Sequence, residues 1–387
     1  MKIVLLWLGA IAIAAALLVA VNYQSRDPDS ALYARLSADL AVRPISKWIA
    51  PEWNGAWNSQ GLFREHPVGI LLPSAIAIRL GFAPGQAAYA INMLYQAAAL
   101  LLIVAVARFV MREADARALA WVLQLLPVAF VYRIRGNQEH PLLVCFLALI
   151  YASHRARSNP IWIALMVAAF CWLALIKGAF AMFALIAAAL WIAILPPDKD
   201  GASWRAWLGL AVAGVAAIVL FAIYEAAYVR VTGESFLAFY RNTRLGESMD
   251  LSDPRIVPHT LRNIVWYFVR LTWFAAPWSL VALAVWATVI AAARHGFDAF
   301  ERPGARAAMW GHVTTMMFIV VLSPANVRAE RFIFPMYFVA GALGFATASR
   351  RWPSIERVAM RTAGWWWLPA VTWLVLFLAS VGSRIMR

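Results

Sequence analysis

The sequence predicts an all-α polytopic membrane protein with about eleven transmembrane helices, and three observations carry that prediction. Hydrophobic residues make up 64% of the 387 and charged residues 14%, against roughly 45–50% apolar and 25% charged in a soluble domain. So few charges cannot cover a water-facing globule of this size, which excludes a soluble enzyme. The apolar residues are gathered into runs near spanning length, separated by short basic segments. Lys and Arg total 34 against 19 Asp and Glu, a net charge of +15. Spread over short connecting loops, that excess sets topology and supplies phosphate contacts; it does not point to nucleic acid. Cys145 and Cys171 both lie inside apolar runs, so neither a disulfide framework nor a four-ligand metal site is built from them.

The first apolar run, residues 3–21 behind Lys2, is nearly of full length and reads as an uncleaved first span, because a polar segment of functional character follows it directly. Further spans are expected at about 86–107, 118–132, 139–153, 161–176, 179–195, 207–226, 275–293, 307–322, 332–348 and 364–382. Two stretches, 69–80 with Pro73 and Arg79 and 262–274 with its Trp and Arg residues, are too short to span and are expected to lie in the interface or re-enter it. With these left out of the count the N-terminus is cytoplasmic. The short inside loops then collect Arg108, Arg112 and Arg117, Arg155 and Arg157, Lys199 and Arg205, Arg294, Arg302 and Arg306, and Arg350, Arg351, Arg357 and Arg361. That is the positive-inside pattern. Two long outside segments remain, 22–85 and 227–274, and residues 1–387 read as one membrane-embedded domain with no separate soluble domain or repeat.

Under this topology every unusual polar cluster falls on the outside face. The first is Arg26-Asp27-Pro28-Asp29-Ser30-Ala31-Leu32-Tyr33. If Pro28 opens a short helix, Asp29 and Tyr33 share one face, and a carboxylate at the membrane boundary suits a general base acting on a hydroxyl or amine. An N-cap or a solvated turn is the plainer role for such an Asp, and Asp27-Pro28-Asp29 also has the look of a D-x-D metal motif. The second cluster is Arg64-Glu65-His66-Pro67, where Pro67 leaves Glu65 and His66 in extended backbone, open to a ligand. The third is the turn from Arg133 through Arg135, Gly136, Asn137 and Gln138 to Glu139 and His140. A turn needs Gly136, but it does not need two arginines and a glutamate beside lipid. Lys177-Gly178 is the fourth, where snorkelling is the plain alternative. The fifth is Asn326 to Arg331, with Arg328 and Arg331 set against the inside bias. Cations at one membrane face, with Asp29, Glu65 and Glu139 in the same plane, fit a reaction in which a phosphate leaves and a hydroxyl or amine attacks.

In this order the clusters resemble the GT-C superfamily of membrane glycosyltransferases, closest to the protein O-mannosyltransferase and lipid A aminoarabinose-transferase group. Asp29 with Tyr33 four positions on is similar to that family's first outside loop, with Ser30 where a second acid is usual. His66-Pro67-Val68-Gly69 resembles its H-P-P-L segment, and Glu139-His140-Pro141-Leu142 an acid and leucine pair that more often carries Asp. Lys177-Gly178, Pro277-Trp278 and Arg331-Phe332 with Pro335 resemble further elements, so the likeness runs over residues 1–348.

The Ala-, Arg- and Trp-rich composition suggests a bacterial inner membrane, whose outer side is periplasmic; the resemblance implies transfer of one sugar from a polyprenyl-phosphate donor, on the non-cytoplasmic face, to a glycan, lipid or protein acceptor. It places the catalytic role on Asp29. Tyr33, Glu65, His66, Arg133, Arg135, Asn137, Glu139, Lys177, Arg244, Arg328 and Arg331 are the expected substrate-binding residues; the loop around Tyr240, Arg241, Arg244 and residues 250–254 reads first as an ordinary outside loop, with closure over the donor as the alternative. No resident cofactor is expected, and a divalent metal is the lesser expectation. A lipid-linked sugar flippase and an oligosaccharide ligase are the alternatives; flippases place polar groups at mid-membrane, whereas these gather at one face.

Overall fold

The computed structural model describes residues 2–53, 61–196, 201–242, 256–284, 303–325 and 328–385. Among them the secondary structure is helical, with one isolated bridge between Glu52 and Leu62. The helices are α1 (Lys2–Ala20), α2 (Pro28–Val42), α3 (Leu72–Arg79), α4 (Ala87–Ala107), α5 (Glu113–Val122), α6 (Pro127–Val131), α7 (Glu139–Ala156), α8 (Trp162–Lys177), α9 (Ala181–Ile194), α10 (Ser203–Thr232), α11 (Phe236–Phe239), α12 (Ile256–Phe274), α13 (Pro303–Leu322), α14 (Phe334–Arg351), α15 (Pro353–Ala363) and α16 (Leu368–Ile385). In hydrocarbon a backbone must satisfy its own N–H and C=O groups, and an apolar chain does so by folding into helices. Exposed Leu5, Leu8, Val215, Ile218, Val219 and Ile223 on α1 and α10 are the lipid-facing complement of that rule. The chain is an integral membrane protein.

Helix α7 is the centre of the bundle, buried on nearly every side and packed by α4, α8, α9, α10 and α14. Two ends of the bundle are told apart by contacts between distant segments. At one end Arg157 donates to the carbonyls of Ile192 and Pro196, both at 2.9 Å, and Ala202 N donates to Arg157 O at 2.9 Å. The same end holds Arg112, which bonds Asp115 at 2.7 Å and Glu356 at 2.5 Å. At the other end lie the start of α2, the turn before α7 and the segment leading into α14. The first end is where the described short-loop arginines expected on the inside come together; Lys199, Arg294 and Arg302 lie outside the described residues.

These contacts also fix where the chain reverses. Because Arg157 at the end of α7 touches the end of α9, the 33-residue apolar stretch Trp162–Ile194 cannot run straight for the roughly 50 Å its length would give. It turns back at Gly178, whose φ of 60° and ψ of −132° suit glycine alone, and the Tyr240 hydroxyl lies 2.7 Å from where a Cβ would stand. The separate spans expected at 161–176 and 179–195 correspond to α8 and α9.

Elsewhere the run-length reading needs correction. Six described helical stretches, with α8 and α9 together as one of them, are long and apolar enough to cross a bilayer, seven if α15 and α16, bent by 97°, also count as one. The expected figure of eleven is not matched by single long helices. The run 118–132 is α5, a 3-10 turn over Leu123–Leu125, extended Leu126 and α6; Pro127 disfavours helix at the residue before it, so this passage is broken. The stretch 262–274 is the C-terminal part of the longer helix α12. Tyr267 sits near Ala329, Phe274 lies tilted against Tyr337 at 5.3 Å, and Trp278 meets Phe345 at 5.2 Å, so the chain runs beside α14. Gly344 permits that approach, since a Cβ there would overlap the Trp278 carbonyl. Every fourth residue of α12, Val257, Leu261, Val265, Val269 and Trp273, is exposed and apolar, a lipid-facing stripe. Of the span expected at 275–293, residues 278–284 are helical and 285–293 lie outside the described residues. The other short stretch, 69–80, forms α3 after a 3-10 turn and is held to α2 by Arg79 Nε donating to Ala41 O at 2.9 Å.

Candidate functional site

The site begins with the cap of α2. Pro28 occupies the first turn, and Asp27 supplies the N-cap, its Oδ2 accepting from Ser30 N at 3.1 Å and Ser30 Oγ at 2.6 Å. The capping role foreseen as an alternative for Asp29 is thus filled by Asp27. Asp29 is left to face outward and forms an ion pair with Arg331 from the segment before α14. Both side chains are about one third exposed, at 32% and 36%.

Asp27 and Ser30 also tie α2 to the turn before α7. Asp27 Oδ1 stands 3.4 Å from Arg135 Nη1, and Gly136 N donates to Ser30 Oγ at 3.1 Å. The turn is held from beneath by α4: Gln96 Nε2 donates to Arg133 O at 2.6 Å, and the Asn92 amide donates to Arg135 O. Arg135 lies over the Tyr132 ring, 4.2 Å from its centroid. Glu139, in the first turn of α7, lies within electrostatic reach of Arg135, Lys177 and Asp27. One Glu139 carboxylate oxygen and the Asn137 amide nitrogen are buried with no hydrogen-bond partner among the described residues. Buried polar atoms are almost always paired, so this acceptor and donor, two positions apart in sequence, are available to a polar ligand.

A third segment closes the site floor. His66 Nδ1 reaches Pro67 O at 2.9 Å, which makes it the protonated nitrogen, so Nε2 accepts from the Tyr33 hydroxyl at 2.9 Å. Gln138 Nε2 donates to the Tyr33 oxygen at 2.5 Å. Burial first, then the charges of Glu65 and Glu139, push the Tyr33 phenol well above its ordinary range, so it remains a donor. Arg64 pairs with Glu234 and lies over the Phe239 ring at 4.9 Å, joining this segment to α11. Gly69 lets it pass the end of α8: a Cβ there would stand 2.7 Å from the Leu175 backbone. Gly69→Ala is therefore expected to displace the His66 segment and cost about 1–3 kcal/mol of stability, typical of overpacking. A thermal melt of the purified variant checks this; an unchanged midpoint would show that the backbone yields.

The structure brings Asp29, Tyr33, His66, Arg135, Asn137, Glu139 and Arg331 together, with Glu65 and Lys177 adjoining. It does not bring Arg133, which turns into the helix packing and donates to Gln124 O at 3.0 Å. Arg328 is exposed and lies over the Trp266 ring at 5.6 Å. Arg244 and residues 250–254 of the expected closing loop lie outside the described residues; Tyr240 is described and stacks on Phe236 at 5.7 Å. Sequence reasoning gave no role to Ser30, Gln138, Asn92 or Glu234, because each acts through a partner far along the chain. In the D-x-D pattern Asp27 is turned to Ser30 and Arg135 and Asp29 to Arg331, and among the described residues no three His, Cys, Asp or Glu side chains converge as metal ligands.

No protein-family model and no curated protein matches this chain. Among solved structures it is similar to ArnT from Cupriavidus metallidurans bound to undecaprenyl phosphate, with a TM-score of 0.64 at 15% identity over 99% of this chain and 72% of that one. ArnT in the apo state gives 0.60 at 18% identity over 91% of this chain and 61% of that one. At these identities the likeness is one of fold. The expected all-α membrane bundle is the one observed, and its fold is that of ArnT.

Proposed function

We propose that this chain is a glycosyltransferase that takes a sugar from a polyprenyl-phosphate donor and passes it to a hydroxyl or amine of a lipid, glycan or protein. The observation that carries the reading is the Asp29–Arg331 ion pair at the rim of a site holding the open Glu139 and Asn137 atoms. The shared fold with ArnT, solved with undecaprenyl phosphate, supports it. Asp29 and Arg331 neutralise each other in their ion pair. An arriving donor phosphate competes for Arg331, since guanidinium binds phosphate through paired donors. That exchange releases Asp29 to take the proton of the acceptor O–H or N–H as its oxygen or nitrogen attacks the sugar C1. The bond from C1 to the phosphate oxygen breaks, and polyprenyl phosphate leaves with the added charge. Arg331, Arg135 and Lys177 stabilise that charge more in the transition state than in the bound donor. Glu139, Glu65 and Asn137 hold sugar hydroxyls, with His66 and Tyr33 fixed beneath them.

The arginine-rich end of the bundle is the cytoplasmic one in this reading, which sets the site on the periplasmic face of a bacterial inner membrane. Purified protein incubated with a polyprenyl-phosphate sugar labelled in the sugar, and with membranes as the acceptor source, is expected to release polyprenyl phosphate. An intact donor, with consumption of a pyrophosphate-linked oligosaccharide instead, would replace transferase by ligase.

A further inference from the structure

At the end of the bundle opposite Asp29, a cleft of about 310 Å³ opens between α1, α4, α5 and the turn joining α15 to α16. Leu101 and Val104 give it an apolar wall, and Trp7, Trp121, Trp365 and Trp366 stand around it. Two charged side chains complete it, Arg108 and Arg117. Both guanidiniums donate to the same oxygen, Glu113 Oε1, at 2.7 and 2.8 Å. Each is about half exposed, at 48% and 51%. Two cations sharing one carboxylate leave a net positive charge, and most of their N–H donors are unspent. Arg357 and Arg361 on α15, both exposed, add to the charge on this side. Tryptophan gathered at the end of a membrane bundle marks headgroup depth. An apolar wall beneath a tryptophan rim, with paired guanidiniums at its mouth, complements a molecule with an anionic phosphate head and a hydrocarbon tail.

We propose that this cleft holds one anionic phospholipid of the bilayer, its phosphate on Arg108 and Arg117 and an acyl chain along Leu101 and Val104. The site is separate from the Asp29 cluster and does not depend on the glycosyl-transfer reading.

The test is native mass spectrometry of the full chain released from mixed micelles holding equal phosphatidylglycerol and phosphatidylcholine. Wild type is expected to retain phosphatidylglycerol preferentially. Neutralising both arginines, as R108Q with R117Q, is expected to weaken retention roughly fivefold per arginine. Because those arginines also brace Glu113, Leu101→Trp serves as a second variant. Leu101 is 42% exposed, so the larger ring is tolerated, fills the cleft and is expected to expel the lipid without lowering the melting temperature. Equal retention of the two lipids by wild type, or undiminished phosphatidylglycerol in both variants, overturns the proposal. So does inorganic phosphate raising the melting temperature as much as phosphatidylglycerol does, which would reveal an ion site with no role for the tail.

Discussion

Asp29→Asn is expected to lower turnover by about 10²–10⁴-fold, the usual worth of a positioned general base, while tightening the hold on polyprenyl phosphate. The opposed signs follow from the ion pair. Asparagine keeps the shape of the side chain and an acceptor oxygen for Arg331, so the local fold survives. It removes the negative charge that competes with the donor phosphate for that guanidinium. A variant that had merely lost its fold would bind less and turn over less together. The check is a titration of purified wild type and variant with polyprenyl phosphate beside a measured rate of transfer. Weaker binding in the variant would show that Asp29 and Arg331 do not exchange partners in the way proposed.

Arg331→Met is the converse, losing on both counts. Turnover is expected to fall by about 10²–10³-fold, the scale of removing one charge-stabilising donor from a developing anion. Polyprenyl-phosphate binding is expected to weaken by about tenfold, a modest figure because the pair is one third exposed and water already screens it. With Arg331 gone, Asp29 faces the phosphate unneutralised, so part of the loss is repulsion. The double variant, D29N with R331M, should then bind polyprenyl phosphate better than R331M alone, because the asparagine relieves that repulsion. Strict additivity of the two effects on binding would indicate that the residues act independently.

What the sequence made legible follows the range of each interaction. The start of α2 was readable because Asp27, Pro28 and Ser30 settle it within four residues, although which aspartate caps and which is left free depended on Arg331, some 300 residues away. The Tyr33, His66 and Gln138 contacts join three segments that nothing in local spacing connects. Basic residues that oppose the topology bias include Arg135 and Arg331, and the structure sets these beside Asp27 and Asp29. They also include Arg133, whose charge is spent on a carbonyl within the helix packing. The run-length rule shortened α12 (Ile256–Phe274) to 262–274 for a definable reason. It treats arginine as the end of an apolar stretch, but Arg270 lies over the rings of Trp266 and Phe274 at 5.1 and 5.9 Å, where its charge is sheltered on the helix's own surface. At 118–132 the opposite error arose, since a continuous apolar run concealed the break that Pro127 imposes.

The most direct test of the central claim is lipid mass spectrometry on membranes from cells carrying either wild type or Asp29→Asn, with protein level matched. The account predicts that a polyprenyl monophosphate bearing a single sugar accumulates in the variant, naming the donor at the same time. An unchanged pool of that lipid, with the variant present at normal level, would contradict it.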